Sequence, residues 1–159
     1  MNEISSFAPI IDDDSNVLIL GSIPGIESLR KNEYYGHPRN AFWHIIFDLL
    51  IEEYISDYTA KIALVKRHHI ALWDVIGDCV RKGSLDSNIK NAQPNDFEAL
   101  YNRYPNIKYI YFNGNKAYDI YMRKVGLSKF KQYSKLPSTS PAHAIKYEKK
   151  LAQWQQIIL

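Results

Sequence analysis

Short apolar runs recur along the chain, and stretches with helical spacing lie between them. Val17-Leu18-Ile19-Leu20-Gly21 is apolar throughout, as a strand buried on both faces must be. His69–Val75 and Ile107–Phe112 read the same way, the second closed by Asn113-Gly114. Residues 40–54 place Phe42, Ile45, Ile46, Leu49 and Leu50 on one helical face. Residues 94–104 predict a helix opening at Pro94 or Asn95, and Asn115–Val125 a helix stopped by Gly126. A short fourth strand is expected just before Leu136–Pro141, and Ala142–Leu159 reads as a final helix. Strands alternating with helices predict an α/β fold with a mostly parallel sheet. In such folds ligands sit beyond the carboxyl ends of the strands. Here those ends are Gly21–Gly25, Asp74, Asn113-Gly114 and Leu136–Pro141, where the unusual residues are concentrated.

Composition narrows the class. At 159 residues the chain is expected to form one domain, with residues 1–14 a loosely ordered lead-in. Its single cysteine, Cys79, can form no internal disulfide and no cysteine-ligated zinc or iron–sulfur site, which suits a reducing cytoplasm. The N-terminus lacks the basic and apolar segments of a secretory signal, and the apolar runs are too short to cross a membrane. The net charge of +3 hides an asymmetry: residues 1–80 sum to −6 and residues 81–159 to +9. A basic half suggests a polyanion, nucleic acid first; a solvated lysine-rich surface is the alternative.

The motifs exclude several chemistries. Gly21-Ser22-Ile23-Pro24-Gly25 lacks the Lys-Ser/Thr pair of a P-loop and the spacing of a dinucleotide turn. No G-x-S-x-G elbow surrounds Ser22, and the adjacent His68 and His69 would point to opposite faces of a strand. What remains is a rigid Gly-Pro-Gly turn, aromatics, an asparagine and a Ser/Pro-rich second loop. Gly and Pro fix the backbone and admit a ligand closely, aromatics stack on bases, and a Ser-Thr-Ser loop offers donors to phosphate. These parts fit an enzyme that holds a base flipped out of DNA.

GSIPGIESLRKNEYYGHPRNAFW, LWDVIGDCVRKGSLDSNI, YIYFNGNKAY and LPSTSPAHA, in this order, resemble the uracil-DNA glycosylase superfamily, closest to its hypoxanthine-DNA glycosylase group. The resemblance implies a three-layer α/β/α sandwich around a four-stranded parallel sheet. It implies hydrolysis of the N-glycosidic bond of a deaminated base, by a monofunctional enzyme that needs no cofactor or metal. DNA is then the partner, and a monomer with a cytoplasmic, nucleoid-associated activity of bacterial type is expected. Residue by residue, Gly21, Ser22, Ile23, Pro24 and Gly25 match the floor of the base pocket, Tyr35 a stacking aromatic, and Asp74 a base-reading group. Phe42 is grouped with these base-binding residues. Asn40 matches a catalytic asparagine; helix capping is its alternative role. Ser138, Thr139, Ser140, Pro141 and His143 match the loop that pinches the DNA backbone. Lys135 is expected on a phosphate track with Arg123, Lys124, Lys129 and Lys131. The mismatch-directed uracil/thymine branch carries Asn where this chain has Ile23, which favours the hypoxanthine group. A uracil or mismatch enzyme, or a silent DNA-binding module of the same fold, stand as alternatives.

Overall fold

The computed structural model describes residues 2–158. Strands β2 (Val17–Gly21), β3 (Ile70–Asp74), β6 (Tyr109–Asn113) and β7 (Gln132–Leu136) form a parallel sheet in the order β3-β2-β6-β7. A second sheet, not anticipated from the sequence, is antiparallel: β1 (Glu3–Ser5), β4 (Ile76–Val80) and β5 (Lys90–Pro94), in the order β1-β4-β5. Within the lead-in, Glu3–Ser5 pair with β4. Besides β1, Ile10 bridges Leu72 of β3, and these backbone bonds give the segment fixed partners.

Alternate residues of each central strand face opposite layers. Val17, Ile19, Ile70, Leu72 and Tyr111 pack with residues of α2 (Phe42–Leu49), α3 (Tyr58–Arg67) and α6 (Tyr147–Trp154). Leu18, Leu20, Ala71, Ile110 and Phe112 pack with α4 (Phe97–Arg103) and α5 (Asn115–Lys124), together with Ile76, Cys79 and Ala92 of the small sheet. The central strands carry apolar side chains on both faces because both faces are covered.

Two expected helices are shorter than their patterns. The 40–54 helix covers only Phe42–Leu49. It ends where Ile51 takes φ 56° and the Glu52 N–H bonds back to the Phe47 carbonyl, a six-residue closure that stops the helix. The last helix begins at Tyr147 rather than at Ala142, because the N–H groups of Ala142 and His143 are held by Ser140 in a tight turn. A 3-10 turn, Gln155–Ile158, follows it, and Leu159 lies outside the described residues. Short helix α1 (Ile26–Lys31) leads out of the first glycine loop.

Candidate active site

A cleft of about 740 Å³ opens at the carboxyl end of the parallel sheet. All four strands contribute to it: Gly21 ends β2, Asp74 ends β3, Asn113 ends β6, and Ser138 follows β7. This is where a parallel sheet leaves its strand ends free to hold polar groups.

The floor is Gly21. A Cβ there would stand 2.7 Å from Asp74 Oδ1 and 3.1 Å from the Tyr35 hydroxyl, so only glycine lets those two side chains meet over the strand end. Asp74 is 4% exposed, and its Oδ2 has no hydrogen-bond partner. Burial pushes its pKa up to about 7; the Asp86 charge adds to the rise and Arg81 opposes it. Near neutrality this carboxyl exists both as an O–H donor and as an acceptor. The Tyr35 phenol is also buried and unpartnered, and burial followed by the Asp74 charge raises its pKa, keeping it protonated.

The first loop is held from a distance. The Ser22 hydroxyl donates to Asp86 Oδ1 at 2.7 Å, the Ile26 N–H donates to Ser84 Oγ at 2.8 Å, and Arg81 Nη2 donates to the Pro24 carbonyl at 2.7 Å. Arg81 is 1% exposed and also donates through Nε to the Gly83 carbonyl, so one buried guanidinium ties the Pro24 loop to the 81–86 loop. Ile23 is buried and packs in the core with Val75 and Ile76, anchoring the loop beneath the cleft.

The opposite wall carries Tyr35 and Asn40. Tyr35 takes φ 55°, unusual for an aromatic residue, and stacks on Phe42 with centroids 3.9 Å apart. One face of its ring is thereby covered. Phe42 itself is fully buried and does not line the cleft, which corrects its placement among base-binding residues: it backs Tyr35 instead. Asn40 Oδ1 accepts the Phe42 N–H at 2.9 Å. That bond fixes the amide's orientation, since only the oxygen can accept from an N–H, and leaves Nδ2 free of any hydrogen bond among the described residues, in a side chain that lines the cleft. The bond closes a two-residue turn just ahead of α2, whose N-cap is Ala41, so it does not use up the whole side chain. His37 Nδ1 accepts the Arg39 N–H at 3.0 Å, and both residues line the cleft.

The second loop is locked by Asn113. Its Oδ1 accepts the Thr139 N–H at 2.9 Å and its Nδ2 donates to Thr139 Oγ1 at 2.9 Å. Thr139 lines the cleft but is 1% exposed, and its Oγ1 accepts from Asn113, so most of the side chain is spent on positioning the loop. Ser138 and Ser140 each accept a backbone N–H two residues on. Helix α6 holds the loop from behind, with Trp154 Nε1 donating to the Pro137 carbonyl and Lys150 Nζ to the Ser140 carbonyl. Ser138, Ser140, Pro141 and His143 line the cleft as expected. Lys135 does not: it is exposed on β7, with its Nζ 5.0 Å from the centre of the Tyr118 ring. Arg123, Lys124, Lys129 and Lys131 lie at the end of α5 and before β7, at the amino end of the sheet and away from the cleft. The expected phosphate track is therefore broken by topology.

Several cleft residues had no role assigned from the sequence: Phe7, Tyr34, Ser84, Leu85 and Asp86. Phe7 and the 84–86 segment reach the cleft from positions remote from the first loop, whereas Tyr34 is the chain neighbour of Tyr35. Among the described residues no group of three or more His, Cys, Asp or Glu is placed to hold a metal ion, and no helix is long and apolar enough to cross a membrane.

The sequence pattern described as "Uracil DNA glycosylase superfamily" matches residues 8–158. The chain belongs to the uracil DNA glycosylase superfamily. A protein of Methanosarcina barkeri named hypoxanthine DNA glycosylase is 41% identical over 123 residues, 76% of this chain and 78% of that one. A Methanosarcina acetivorans protein of the same name is 36% identical over 155 residues, 95% of each chain. The solution NMR structure of a candidate uracil DNA glycosylase from Methanosarcina acetivorans superposes with a TM-score of 0.83 at 34% identity, covering 98% of this chain and 96% of that one. The four-stranded parallel sheet flanked by helices is therefore the superfamily architecture.

Proposed function

We propose that the protein is a DNA glycosylase that takes a deaminated base, hypoxanthine first, into the cleft and hydrolyses its N-glycosidic bond, starting base excision repair. The observation that carries this reading is the Asn40 side chain, which lines the cleft with its oxygen committed to Phe42 and its amide nitrogen free of any hydrogen bond among the described residues. The relatives named hypoxanthine DNA glycosylase supply the substrate class. The cleft volume lies within the range of small-ligand sites, and its walls combine an aromatic ring with a few polar groups.

Departure of the base leaves negative charge on the base and oxocarbenium character on the sugar. A donor-only amide stabilises the first: Asn40 Nδ2 donates to the leaving base or orients the attacking water through its oxygen. It cannot take a proton from that water. Asp74 accepts from a base N–H, such as N1–H of hypoxanthine, when ionised. Ser138, Ser140 and His143 meet the backbone beside the extruded nucleotide. The enzyme acts as a monofunctional hydrolase on chromosomal DNA in the cytoplasm.

The test is incubation with oligonucleotides carrying inosine, uracil, xanthine or a thymine mismatch, followed by alkaline cleavage of abasic sites. Scission at inosine is expected to lead; binding without scission at any base would overturn the reading. Asn40→Ala should lower the rate by about 10²–10³, or about 3–4 kcal/mol, the usual cost of one preorganised donor.

A further inference from the structure

The first loop offers no acidic or amide side chain to the reacting sugar: its central residue, Ile23, is turned into the core. An oxocarbenium-like sugar nevertheless gains from a nearby anion. We propose that Asp86, contributed by the loop after β4, is the carboxylate that faces the sugar and receives the proton of the attacking water. This proposal rests on the glycosylase reading above.

Three observations place it. Asp86 lines the cleft and is solvent-exposed, whereas Asp74 is buried at the floor. A base entering the cleft heads for the closed floor, and its sugar, still joined to the DNA backbone, stays nearer the mouth. Asp86 stands at that outer level, beside Ser22 of the first loop. The Asp86 loop is also built to hold position. Arg81 braces it through the Gly83 carbonyl, Ser84 caps the Ile26 N–H, and Asn88 Nδ2 donates to the Lys82 carbonyl. Finally, the Ser22 hydrogen bond occupies Oδ1 and sets the carboxylate's orientation, leaving Oδ2 with no side-chain partner among the described residues.

In the step itself, the C1′–N9 bond breaks and its electron pair goes to the base. The water oxygen bonds C1′ and releases one proton to the Asp86 carboxylate. That proton passes through solvent to the base anion, which leaves as neutral hypoxanthine, and the carboxylate is regenerated.

The bland alternative is that Asp86 only pins Ser22. Two substitutions separate the roles. Asp86→Asn keeps an acceptor for the Ser22 hydroxyl and removes the charge; Ser22→Ala keeps the charge and removes the pin. Single-turnover base release from an inosine duplex is measured for both, with DNA affinity measured separately and thermal melting used to check the fold. Asp86→Asn should lower the rate by on the order of 10²-fold, with DNA affinity unchanged or tighter, because a negative charge near a polyanion has been removed. Ser22→Ala should lose about tenfold at most, the lower end for an exposed hydrogen bond to a charged group. A mere pin predicts the reverse order, with Asp86→Asn near wild type, and that result overturns the proposal while leaving the glycosylase reading intact. A wild-type protein that releases no base from any substrate sinks both. Should Asp86→Asn melt early, Asp86→Glu decides: a restored carboxylate that recovers folding without recovering rate also overturns the proposal.

Discussion

The two loops that frame the cleft are stabilised differently. Residues 136–143 close their own turns through Ser138 and Ser140, and are gripped besides by Asn113 at Thr139 and by α6 at two carbonyls. Residues 21–25 do little for themselves. Their shape depends on Arg81, Ser84 and Asp86, which are contributed from 57 to 64 residues away. A self-closing loop keeps its form while DNA presses on it. A loop braced by a charged, buried partner couples its shape to the electrostatics of the pocket, and the perturbed carboxyl, Asp74, sits on that side.

This contrast can be broken at several points. The largest effect is expected at Asp74. The unfolded chain releases this proton near 3.8, whereas the native carboxyl keeps it to about 7. The raised native value means that its stabilising contribution is fully present below pH 3.8, declines as pH rises, and is gone above about 7. Asp74→Asn removes this dependence. Denaturant unfolding of the DNA-free protein at pH 4 and pH 8 should show the variant gaining on wild type across that window by up to about 4 kcal/mol. Identical pH profiles would mean that Asp74 is ionised throughout.

Next comes the brace. Arg81→Leu leaves the Pro24 and Gly83 carbonyls without their charged donor and should cost about 3 kcal/mol in urea unfolding, with loss of activity at inosine. Asn113→Ala should cost less, about 2 kcal/mol, and should weaken DNA binding more than it slows base release, because the loop it frees is the one proposed to meet the DNA backbone. The smallest effect is at the far end of the sheet. Charge reversal at Arg123 and Lys129 should leave the salt dependence of DNA binding unchanged, whereas Arg39→Gln, at the cleft, should reduce its log–log slope by about 0.9. A changed slope for the distal pair would restore the phosphate track that the topology denies.

The central sheet was legible because three short, largely apolar strands end in residues that interrupt the run, and the fourth, QYSKL, is betrayed only by the Ser/Pro loop that follows it. The small antiparallel sheet was not. β5, Lys90–Pro94, is mostly polar and exposed and is recognisable only by its pairing with β4. α3 was missed because Lys61 interrupts its apolar face; the structure buries this residue with its ammonium over the Trp43 and Tyr54 rings. In the cleft, Gly21, Asp74 and the Ser/Pro loop could be read from their positions at strand ends. Asp86 and Arg81 could not, since their relation to the first loop exists only after β4 is in place. Asn40 was legible as a residue with two possible roles. What the structure adds is that one polar atom, Oδ1, is committed to the Phe42 N–H while Nδ2 is not.

The measurement that tests the account most directly is base release by Asn40→Asp from an inosine duplex. Aspartate keeps the acceptor for the Phe42 N–H, so melting temperature should hold, but it has no N–H to donate. The account predicts a folded protein slowed by about 10²-fold or more. A folded variant that works at the wild-type rate would show that Asn40 only caps α2, and the catalytic reading of this cleft would fail.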